Sequence, residues 1–172
     1  MKNKKLDIKF SIILPAYNEE ENIIRLIEEI NNIEDLKIFT YEILVINDCS
    51  TDNTEKKIKE LQKIYDNIIL LTNSKNKGQS YSIYKGIKNS NYQVIVTMDA
   101  DGQNNPNDIR ILLNHYNYDR HKCLVGGIRR NRKDSFLKKK SSIIEKKIRN
   151  IFFNDECDDT GCALKVFDKE TF

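Results

Sequence analysis

The chain has 172 residues, 32% of them charged and 39% hydrophobic, which is ordinary for one globular domain with a sizeable core. No apolar stretch approaches the roughly 20 residues that a membrane span needs, and Met1 to Lys5 are too polar to open a secretory signal. These features exclude a membrane-spanning protein, and we expect a soluble domain, residues 1–172, that lies at most on a membrane surface.

The formal net charge of +3 is unevenly distributed. Between Arg129 and Arg149, ten basic residues stand against two acidic ones, so this segment carries +8 and the rest of the chain −5. The cysteines have neither C-x-x-C spacing nor a histidine cluster, which argues against a zinc site or a disulfide framework. A reduced, cytoplasmic protein is therefore expected.

Apolar residues switch repeatedly between strand-like and helix-like spacing. Phe10 to Leu14 predicts the first strand, and a helix is expected from Asn18, which has capping-box spacing to Glu21. Further strands are predicted at Tyr41 to Ile46, Ile68 to Leu71, Val94 to Met98, Cys123 to Val125 and Ala163 to Phe167. Apolar stripes predict four helices, of which the last begins at Asn105-Pro106. The stripes are Ile23, Ile27 and Ile30; Ile58, Leu61 and Tyr65; Tyr81, Tyr84 and Ile87 or Lys88; and Ile109, Leu112, Leu113 and Tyr116.

This alternation predicts an α/β fold whose central sheet is mostly parallel and covered by helices on both faces. We find no internal repeat, no low-complexity linker and no second domain. Because the chain stops a few residues after its last predicted strand, we expect a truncated or minimal domain.

Two carboxylates, Asp99 and Asp101, directly follow the apolar run that predicts the fourth strand. In open α/β sheets, ligands bind beyond the carboxyl ends of the strands. Carboxylate oxygens suit Mg²⁺ or Mn²⁺, which bridge the oxygens of a diphosphate, and Gly102 permits the turn that lets both side chains converge. The alternative is a solvated turn, which acidic residues also favour.

Four loops at predicted strand ends together resemble those of the family 2 glycosyltransferases. They are residues 13–20 (Ile-Leu-Pro-Ala-Tyr-Asn-Glu-Glu), 46–52 (Ile-Asn-Asp-Cys-Ser-Thr-Asp), 76–78 (Asn-Lys-Gly) and 99–103 (Asp-Ala-Asp-Gly-Gln). The resemblance extends over roughly residues 10 to 167. It implies a GT-A fold and an enzyme that transfers a sugar from a nucleoside-diphosphate donor with inversion at the anomeric carbon.

The resemblance also implies roles for individual residues. Nucleotide-sugar binding falls to Pro15, Tyr17, Glu19, Asp48, Lys77, Gly78 and Asp99. Asp48 would accept a hydrogen bond from the base, whereas for Glu19 a simple role at a helix N-terminus is an equal alternative. Asp99, Asp101 and Gln103 would bind Mg²⁺ or Mn²⁺, since D-x-D-x-Q recurs in the dolichyl-phosphate mannose synthase branch. Asp101 is thereby a catalytic candidate.

Residues 126–135 and 159–165 are similar to the corresponding parts of bacterial enzymes that resemble dolichyl-phosphate sugar synthases, which use a polyprenyl phosphate acceptor. Arg129, Arg130 and Arg132 would bind the acceptor phosphate or the diphosphate, because arginine binds phosphate bidentately. Residues 129–153 also predict a basic amphipathic helix at an anionic membrane surface. An ordinary solvated face or a helix packed on the sheet are the alternatives, and nucleic acid is not expected as a partner.

Asp159 is the remaining catalytic candidate. A hydroxyl acceptor would require a general base, for which Asp159 is the first choice and Asp158 the second, whereas a phosphate acceptor is already anionic. Cys162 is expected to pack, because direct displacement needs no enzyme nucleophile. The sequence thus predicts sugar transfer to polyprenyl phosphate, with transfer to a saccharide hydroxyl in cell-surface polysaccharide synthesis, or a non-catalytic nucleotide-sugar-binding module, as alternatives.

Overall fold

The computed structural model describes residues 8–116, 123–128 and 161–171. The helices and strands are β1 (Lys9–Ala16), α1 (Ile23–Asn32), β2 (Thr40–Asn47), α2 (Thr54–Leu61), β3 (Ile68–Thr72), α3 (Gln79–Asn89), β4 (Val94–Thr97), α4 (Asp108–His115), β5 (Leu124–Gly126) and β6 (Lys165–Asp168). Short 3₁₀ turns lie at Glu34–Leu36 and Lys169–Thr171. Every strand and helix predicted within these residues is present, with most boundaries displaced by one to five residues, whereas the basic helix predicted for residues 129–153 lies outside them.

The described strands form a six-stranded sheet in the order β3-β2-β1-β4-β6-β5. The first four of these are parallel, whereas β6 runs antiparallel to both β4 and β5. The expected mostly parallel sheet is therefore confirmed. The chain reverses its direction of travel across the sheet at β1, since β2 and β4 lie on opposite sides of it, and such a switch point opens a crevice at the carboxyl ends of the strands.

Helices cover both faces of the sheet, as predicted. Phe10, Ile12 and Leu14 of β1 point into the larger core cluster, which also contains the apolar faces of α1, α2 and α4. The alternate residue Ile13 belongs to the smaller cluster, beneath Ile87 of α3. This period-two division lets a single strand stabilise both layers. Among the described residues, no helix is long and apolar enough to cross a membrane.

The predicted helix stripes are buried in α1 and α4, including Ile23, Ile27, Ile30 and the four residues 109, 112, 113 and 116. The expected start of α1 is wrong, because the helix begins at Ile23 rather than Asn18. Asn18 has a φ of 56°, outside the helical region, and its side chain bonds a neighbouring loop instead of Glu21. A tertiary contact thus replaces the local cap.

The packing of α3 depends on a glycine. Ser82, Gly86 and Ile87 are buried, whereas Tyr81 and Tyr84 are exposed, so the tyrosines of the predicted stripe face outward. A Cβ at Gly86 would lie 2.5 Å from Ile13 Cγ2. The helix therefore approaches β1 more closely than any side chain at this position allows.

Candidate functional site

The carboxyl ends of the parallel strands converge on one pocket of about 240 Å³. Its lining residues come from the end of β1, from the loops after β1, β2 and β4 and from the first turn of α3: Pro15, Ala16, Tyr17, Glu19, Asp48, Gln79, Ser82, Asp99, Ala100 and Asp101. Six of the predicted site residues, far apart in sequence, are thus brought together. They lie at the switch point, where α/β sheets bind ligands.

Asp48 is the most deeply placed acid of this pocket, with 4% of its surface exposed. Its Oδ1 accepts hydrogen bonds from Asn73 Nδ2 at 2.7 Å and from the backbone N of Lys77 at 2.9 Å, and its Oδ2 accepts one from the backbone N of Gly78 at 2.7 Å. Asp48 thereby ties the end of β2 to the loop that precedes α3. These bonds fix the orientation of its carboxylate.

The same bonds decide the charge of Asp48. Burial raises its pKa, but the combined hydrogen bonds from Asn73, Lys77 and Gly78, together with the positive charge of Lys77, outweigh burial and leave the pKa below its usual value. Hydrogen-bond donors that contact a carboxylate stabilise its ionised form and so lower its pKa. Asp48 is therefore an anionic hydrogen-bond acceptor at neutral pH, and it is suited to bind an N–H group.

Gly78 provides a backbone conformation that other residues avoid. Its φ is 85° and its ψ 165°, a region populated almost only by glycine. This conformation aims the Gly78 N–H at Asp48. The side chain of Lys77 is exposed and stacks over Tyr81, with Nζ 4.1 Å from the ring centroid. Lys77 and Gly78 are therefore connected to the pocket through their backbone N–H groups, which bond Asp48, and neither residue lines the pocket itself.

Asp99 and Asp101 also line the pocket, after the end of β4. Gln79 Nε2 donates a hydrogen bond to Asp99 Oδ1, and the backbone N of Gln103 donates one to Asp101 Oδ1 at 3.0 Å. Gly102 has a φ of 73°, which turns the chain between these residues, as its position in the sequence predicts. The two carboxylates therefore enter the same pocket.

The side chain of Gln103 is exposed and does not line the pocket. Within the residues that the structure describes, no three His, Cys, Asp or Glu side chains are arranged to hold a metal ion on their own. Two carboxylates with substrate phosphates and water are nevertheless a normal coordination set for Mg²⁺. The donor chemistry of Asp99 and Asp101 fits a metal that is bound together with its diphosphate, and a metal role for Gln103 stays a prediction.

Pro15, Tyr17 and Glu19 line the pocket on the β1 side, as the resemblance implies. Tyr17 is 46% exposed, so its ring is available to a ligand. Glu19 lines the pocket, and its Oε2 also accepts a hydrogen bond from Asn22 Nδ2 at 2.9 Å. Because α1 begins at Ile23 with no acidic residue in its first turn, the role of Glu19 in nucleotide binding stays a prediction.

Hydrogen bonds lock the loop after β1, residues 17–22, to the loop after β2, residues 48–53. The backbone N of Thr51 donates to Asn18 Oδ1 at 2.8 Å, and that of Asn53 donates to Glu20 Oε2 at 2.9 Å. In return, the backbone N of Glu20 donates to Asp52 Oδ2 at 3.1 Å. This exchange fixes two walls of the pocket relative to each other.

Sequence reasoning missed Asn73, Gln79 and Ser82. Asn73 and Ser82 are buried, and Asn73 Nδ2 donates to Ser82 Oγ at 3.1 Å as well as to Asp48. Lys85 Nζ donates to Asn73 Oδ1 at 3.0 Å, which sets the orientation of the amide. Asn73 follows β3 directly, so its place at the carboxyl end of a parallel strand was a usable signal. Nothing in the local sequence distinguishes Ser82 from Ser80.

The predicted residues Arg129, Arg130, Arg132, Asp158 and Asp159 and the basic segment 129–153 lie outside the described residues. Cys162 is described and buried, in agreement with a packing role. Its Sγ lies 3.2 Å from the position that a Cβ on Gly127 would occupy, so it packs against the end of β5.

Comparison with curated proteins finds similar chains among bacterial transferases. The chain is 33% identical over 163 residues to an undecaprenyl-phosphate 4-deoxy-4-formamido-L-arabinose transferase of Proteus mirabilis, a match that covers 92% of this chain and 48% of the relative. The transferase of the same name from Salmonella choleraesuis is 32% identical, with the same coverage. The chain thus spans about half the length of these relatives.

Solved structures share the fold. Mannosyl-3-phosphoglycerate synthase of Rubrobacter xylanophilus superimposes with a TM-score of 0.74 over 96% of this chain and 54% of its own, at 15% identity. Glucosyl-3-phosphoglycerate synthase of Mycobacterium tuberculosis in complex with UDP superimposes with a TM-score of 0.71 over 94% of this chain and 57% of its own, at 17% identity. A Pyrobaculum calidifontis mannosyltransferase with GDP-Man and Mn²⁺ superimposes with a TM-score of 0.53 over 70% of this chain and 35% of its own, at 20% identity. The architecture is the GT-A fold.

The model of glycosyl transferase family 2 matches residues 11–172, which is nearly the whole chain and includes every loop of the pocket. The chain therefore belongs to glycosyl transferase family 2.

Proposed function

We propose that this protein transfers a sugar from a nucleoside-diphosphate donor to a polyprenyl phosphate, with inversion at the anomeric carbon. The observation that carries the proposal is the convergence of Asp48 with Asp99 and Asp101 in one pocket at the switch point of the sheet. Opposite ends of a nucleoside diphosphate require such groups: an acceptor for the base and hard oxygen ligands near the phosphates.

On the donor side, Asp48 binds the base while Pro15, Tyr17 and Glu19 surround the nucleoside. Asp48 is held in place by its three hydrogen bonds before any ligand arrives, so little ordering cost falls on binding. The exposed ring of Tyr17 offers a flat surface for stacking.

On the diphosphate side, Asp99 and Asp101, together with Gln103, would hold Mg²⁺ or Mn²⁺. A bound metal would supply positive charge that offsets the negative charge of the nucleoside diphosphate. Gln79 keeps Asp99 oriented through its Nε2 hydrogen bond. The positive φ of Gly102 turns the chain directly after Asp101, which lets the carboxylate of Asp101 share the pocket with that of Asp99.

In the transfer step, an oxygen of the acceptor phosphate attacks the anomeric carbon and the bond from that carbon to the diphosphate oxygen breaks. The acceptor oxygen is already anionic near neutral pH, so the step requires no proton removal by the enzyme. Asp159 then positions substrate or shapes its loop. With a hydroxyl acceptor, Asp159 or Asp158 would have to act as the base.

On the acceptor side, Arg129, Arg130 and Arg132 bind phosphate and the basic segment 129–153 lies on an anionic membrane surface. The net +8 between Arg129 and Arg149 supports this placement, since each basic residue near such a surface contributes about 1 kcal/mol. The two curated relatives carry undecaprenyl phosphate in their names, which supports a polyprenyl phosphate acceptor here.

The test is sugar transfer by wild-type protein and Asp101→Asn, measured as labelled sugar on polyprenyl phosphate with Mn²⁺ present. We expect Asp101→Asn to lower kcat by about a hundredfold or more, because it removes electrostatic stabilisation of the leaving group. Asp66→Asn is the matched control, since Asp66 is exposed and outside the pocket, and it should retain wild-type activity.

The outcomes separate the candidate functions. Native transfer by Asp101→Asn would refute the metal role, and transfer to saccharides but not to polyprenyl phosphate would favour a hydroxyl acceptor. Binding of the donor without any turnover would identify a nucleotide-sugar-binding module. Failure of every nucleotide sugar to bind would overturn the proposal as a whole.

A further inference from the structure

Four exposed side chains form one row along α3, which we call the α3 stripe: Lys77, Tyr81, Tyr84 and Lys88. Successive members are three or four residues apart in the sequence, so they are neighbours on one face of the helix. On the other side of its axis, α3 buries Ser82, Gly86 and Ile87 against the sheet. Among the described residues, the α3 stripe therefore points away from the sheet.

The α3 stripe combines positive charge with aromatic rings. Lys77 Nζ lies 4.1 Å from the ring centroid of Tyr81, and Lys88 Nζ lies 5.7 Å from that of Tyr84. Both distances are short enough for the ring to attract the ammonium group. The two tyrosines nevertheless keep 38% and 46% of their surface exposed. One partner surface can therefore contact the rings and the lysines together.

The charge around the α3 stripe has a single sign. Between Asn67 and Met98, the sequence contains lysines at positions 75, 77, 85 and 88 and no acidic residue. By contrast, α1, α2 and α4 each carry at least one acidic residue. No carboxylate of α3 therefore opposes the approach of an anionic partner to this face.

We propose that the α3 stripe is a docking surface for an anionic phospholipid membrane. The inference goes beyond the proposed function, but it rests on that function for its lipid acceptor. Tyrosine rings are enriched at membrane–water interfaces, and lysine side chains extend their charge to anionic headgroups. Because an ammonium group already lies over each ring, the stripe is less suited to stacking the bases of a nucleic acid.

The position of the α3 stripe fits a lipid acceptor. Gln79, in the first turn of α3, lines the pocket and donates a hydrogen bond to Asp99. The stripe begins two residues earlier, at Lys77, and extends about 16 Å, from the rise per residue of a helix. A membrane that lies against the stripe would hold its headgroup layer beside the pocket. The phosphate of a lipid acceptor would then reach the pocket without leaving the membrane.

Vesicle binding by the full chain tests the inference, with vesicles of phosphatidylglycerol and phosphatidylcholine compared with phosphatidylcholine alone. Lys75→Glu/Lys88→Glu reverses two exposed charges near the ends of the stripe. Lys56→Glu/Lys63→Glu makes the same change in and just after α2, which packs on the opposite face of the sheet. We expect the first variant to bind anionic vesicles at least about tenfold more weakly than wild type, and the control to differ by no more than about threefold. Equal losses in both variants, or no binding of the wild-type protein, would overturn the proposal.

A tryptophan reporter locates the contact. The chain contains no tryptophan, so Tyr84→Trp introduces a single one into the stripe, and Ile111→Trp introduces one at an exposed position of α4. With anionic vesicles that contain brominated lipid, we expect a blue shift and quenching for Tyr84→Trp and neither for Ile111→Trp. An unchanged spectrum of Tyr84→Trp at a lipid concentration that binds the protein would overturn docking through α3.

Transfer assays separate this inference from the proposed function. Lys75→Glu/Lys88→Glu should keep wild-type transfer to a short-chain polyprenyl phosphate in solution and lose about tenfold with a long-chain acceptor in anionic vesicles. Equal transfer to the vesicle acceptor by this variant and the wild type would refute docking while leaving the enzyme in place. If the wild type transfers sugar to neither acceptor, the proposed function fails, and vesicle binding still decides the inference. Tighter binding of single-stranded RNA than of anionic vesicles would assign the stripe to nucleic acid instead.

Discussion

At the scale of the residue, Asp48 shows how hydrogen bonds override burial. A carboxylate with so little exposure would ordinarily favour its neutral form. Three N–H donors from Asn73, Lys77 and Gly78 stabilise the anion instead and lower its pKa. The residue is therefore both a structural anchor and a charged acceptor, and its charge contributes to the stability of the fold.

We predict that Asp48→Asn destabilises the protein by about 1–3 kcal/mol at pH 7, because the new amide group faces N–H donors. The folded-state pKa of Asp48 is depressed, so its contribution is fully present above the unfolded value of about 3.9 and is lost as the pH falls through the folded value. Urea unfolding of both proteins from pH 7 to pH 2.5 measures this. A difference that stays constant down to pH 2.5 would contradict the argument.

At the scale of the element, α3 connects the core to the site. Its N-terminus supplies Gln79 and follows Gly78, while its middle packs on β1 and β2 through Gly86. A Cβ at Gly86 would lie 2.5 Å from Ile13 Cγ2 and 2.8 Å from Ile46 Cδ1. The distance of α3 from the sheet therefore sets how its first turn meets the pocket.

We predict that Gly86→Ala lowers the free energy of unfolding by about 1–3 kcal/mol, because overpacking outweighs the gain in helix propensity. Ser80→Ala, at an exposed position of α3, should change it by no more than about 0.5 kcal/mol. Adding Ile46→Val to Gly86→Ala should recover part of the loss, since it removes Cδ1. The packing argument fails if Gly86→Ala alone proves stabilising in chemical denaturation.

Across the whole molecule, the carboxyl and amino ends of the parallel strands differ in what they contain; below, these two ends are called the carboxyl and amino edges of the sheet. The pocket lies at the carboxyl edge. Toward the amino edge, buried Glu42 accepts hydrogen bonds from Ser11 Oγ at 2.6 Å and from Asn91 N at 2.6 Å, joining β1, β2 and the connection into β4. Six residues of extended chain, about 20 Å, separate Glu42 from Asp48.

We therefore predict that Glu42→Ala destabilises the whole domain by about 1–3 kcal/mol, since buried donors lose their acceptor. At a temperature where the variant stays folded, its Kd for the nucleoside diphosphate that the wild-type protein binds should remain within about twofold of the wild-type value. Glu34→Ala, which removes an exposed ion pair with Lys37, should cost less than about 1 kcal/mol. A large loss of affinity for that nucleoside diphosphate in folded Glu42→Ala would show that the two edges of the sheet are coupled.

Much of the fold was predictable because it depends on local periodicity. Ile109, Leu112 and Leu113 have helical spacing and are buried, and Val94 to Thr97 is a fully buried strand. The start of α1 was not predictable in this way. Asn18 leaves the helix to bond Thr51, a residue 33 positions away, and no local pattern contains that partner.

Hydrophobic periodicity and residues at strand ends are local properties, so the α/β fold, the mostly parallel sheet and the loops around Pro15, Asp48 and Asp99 follow from the sequence alone. The contacts among these groups depend on the tertiary fold. The hydrogen bonds from Asn73, Lys77 and Gly78 that fill Asp48, and the contact of Gln79 with Asp99, join residues 20 to 30 positions apart. The order of strands in the sheet creates those contacts, and a linear pattern does not contain it.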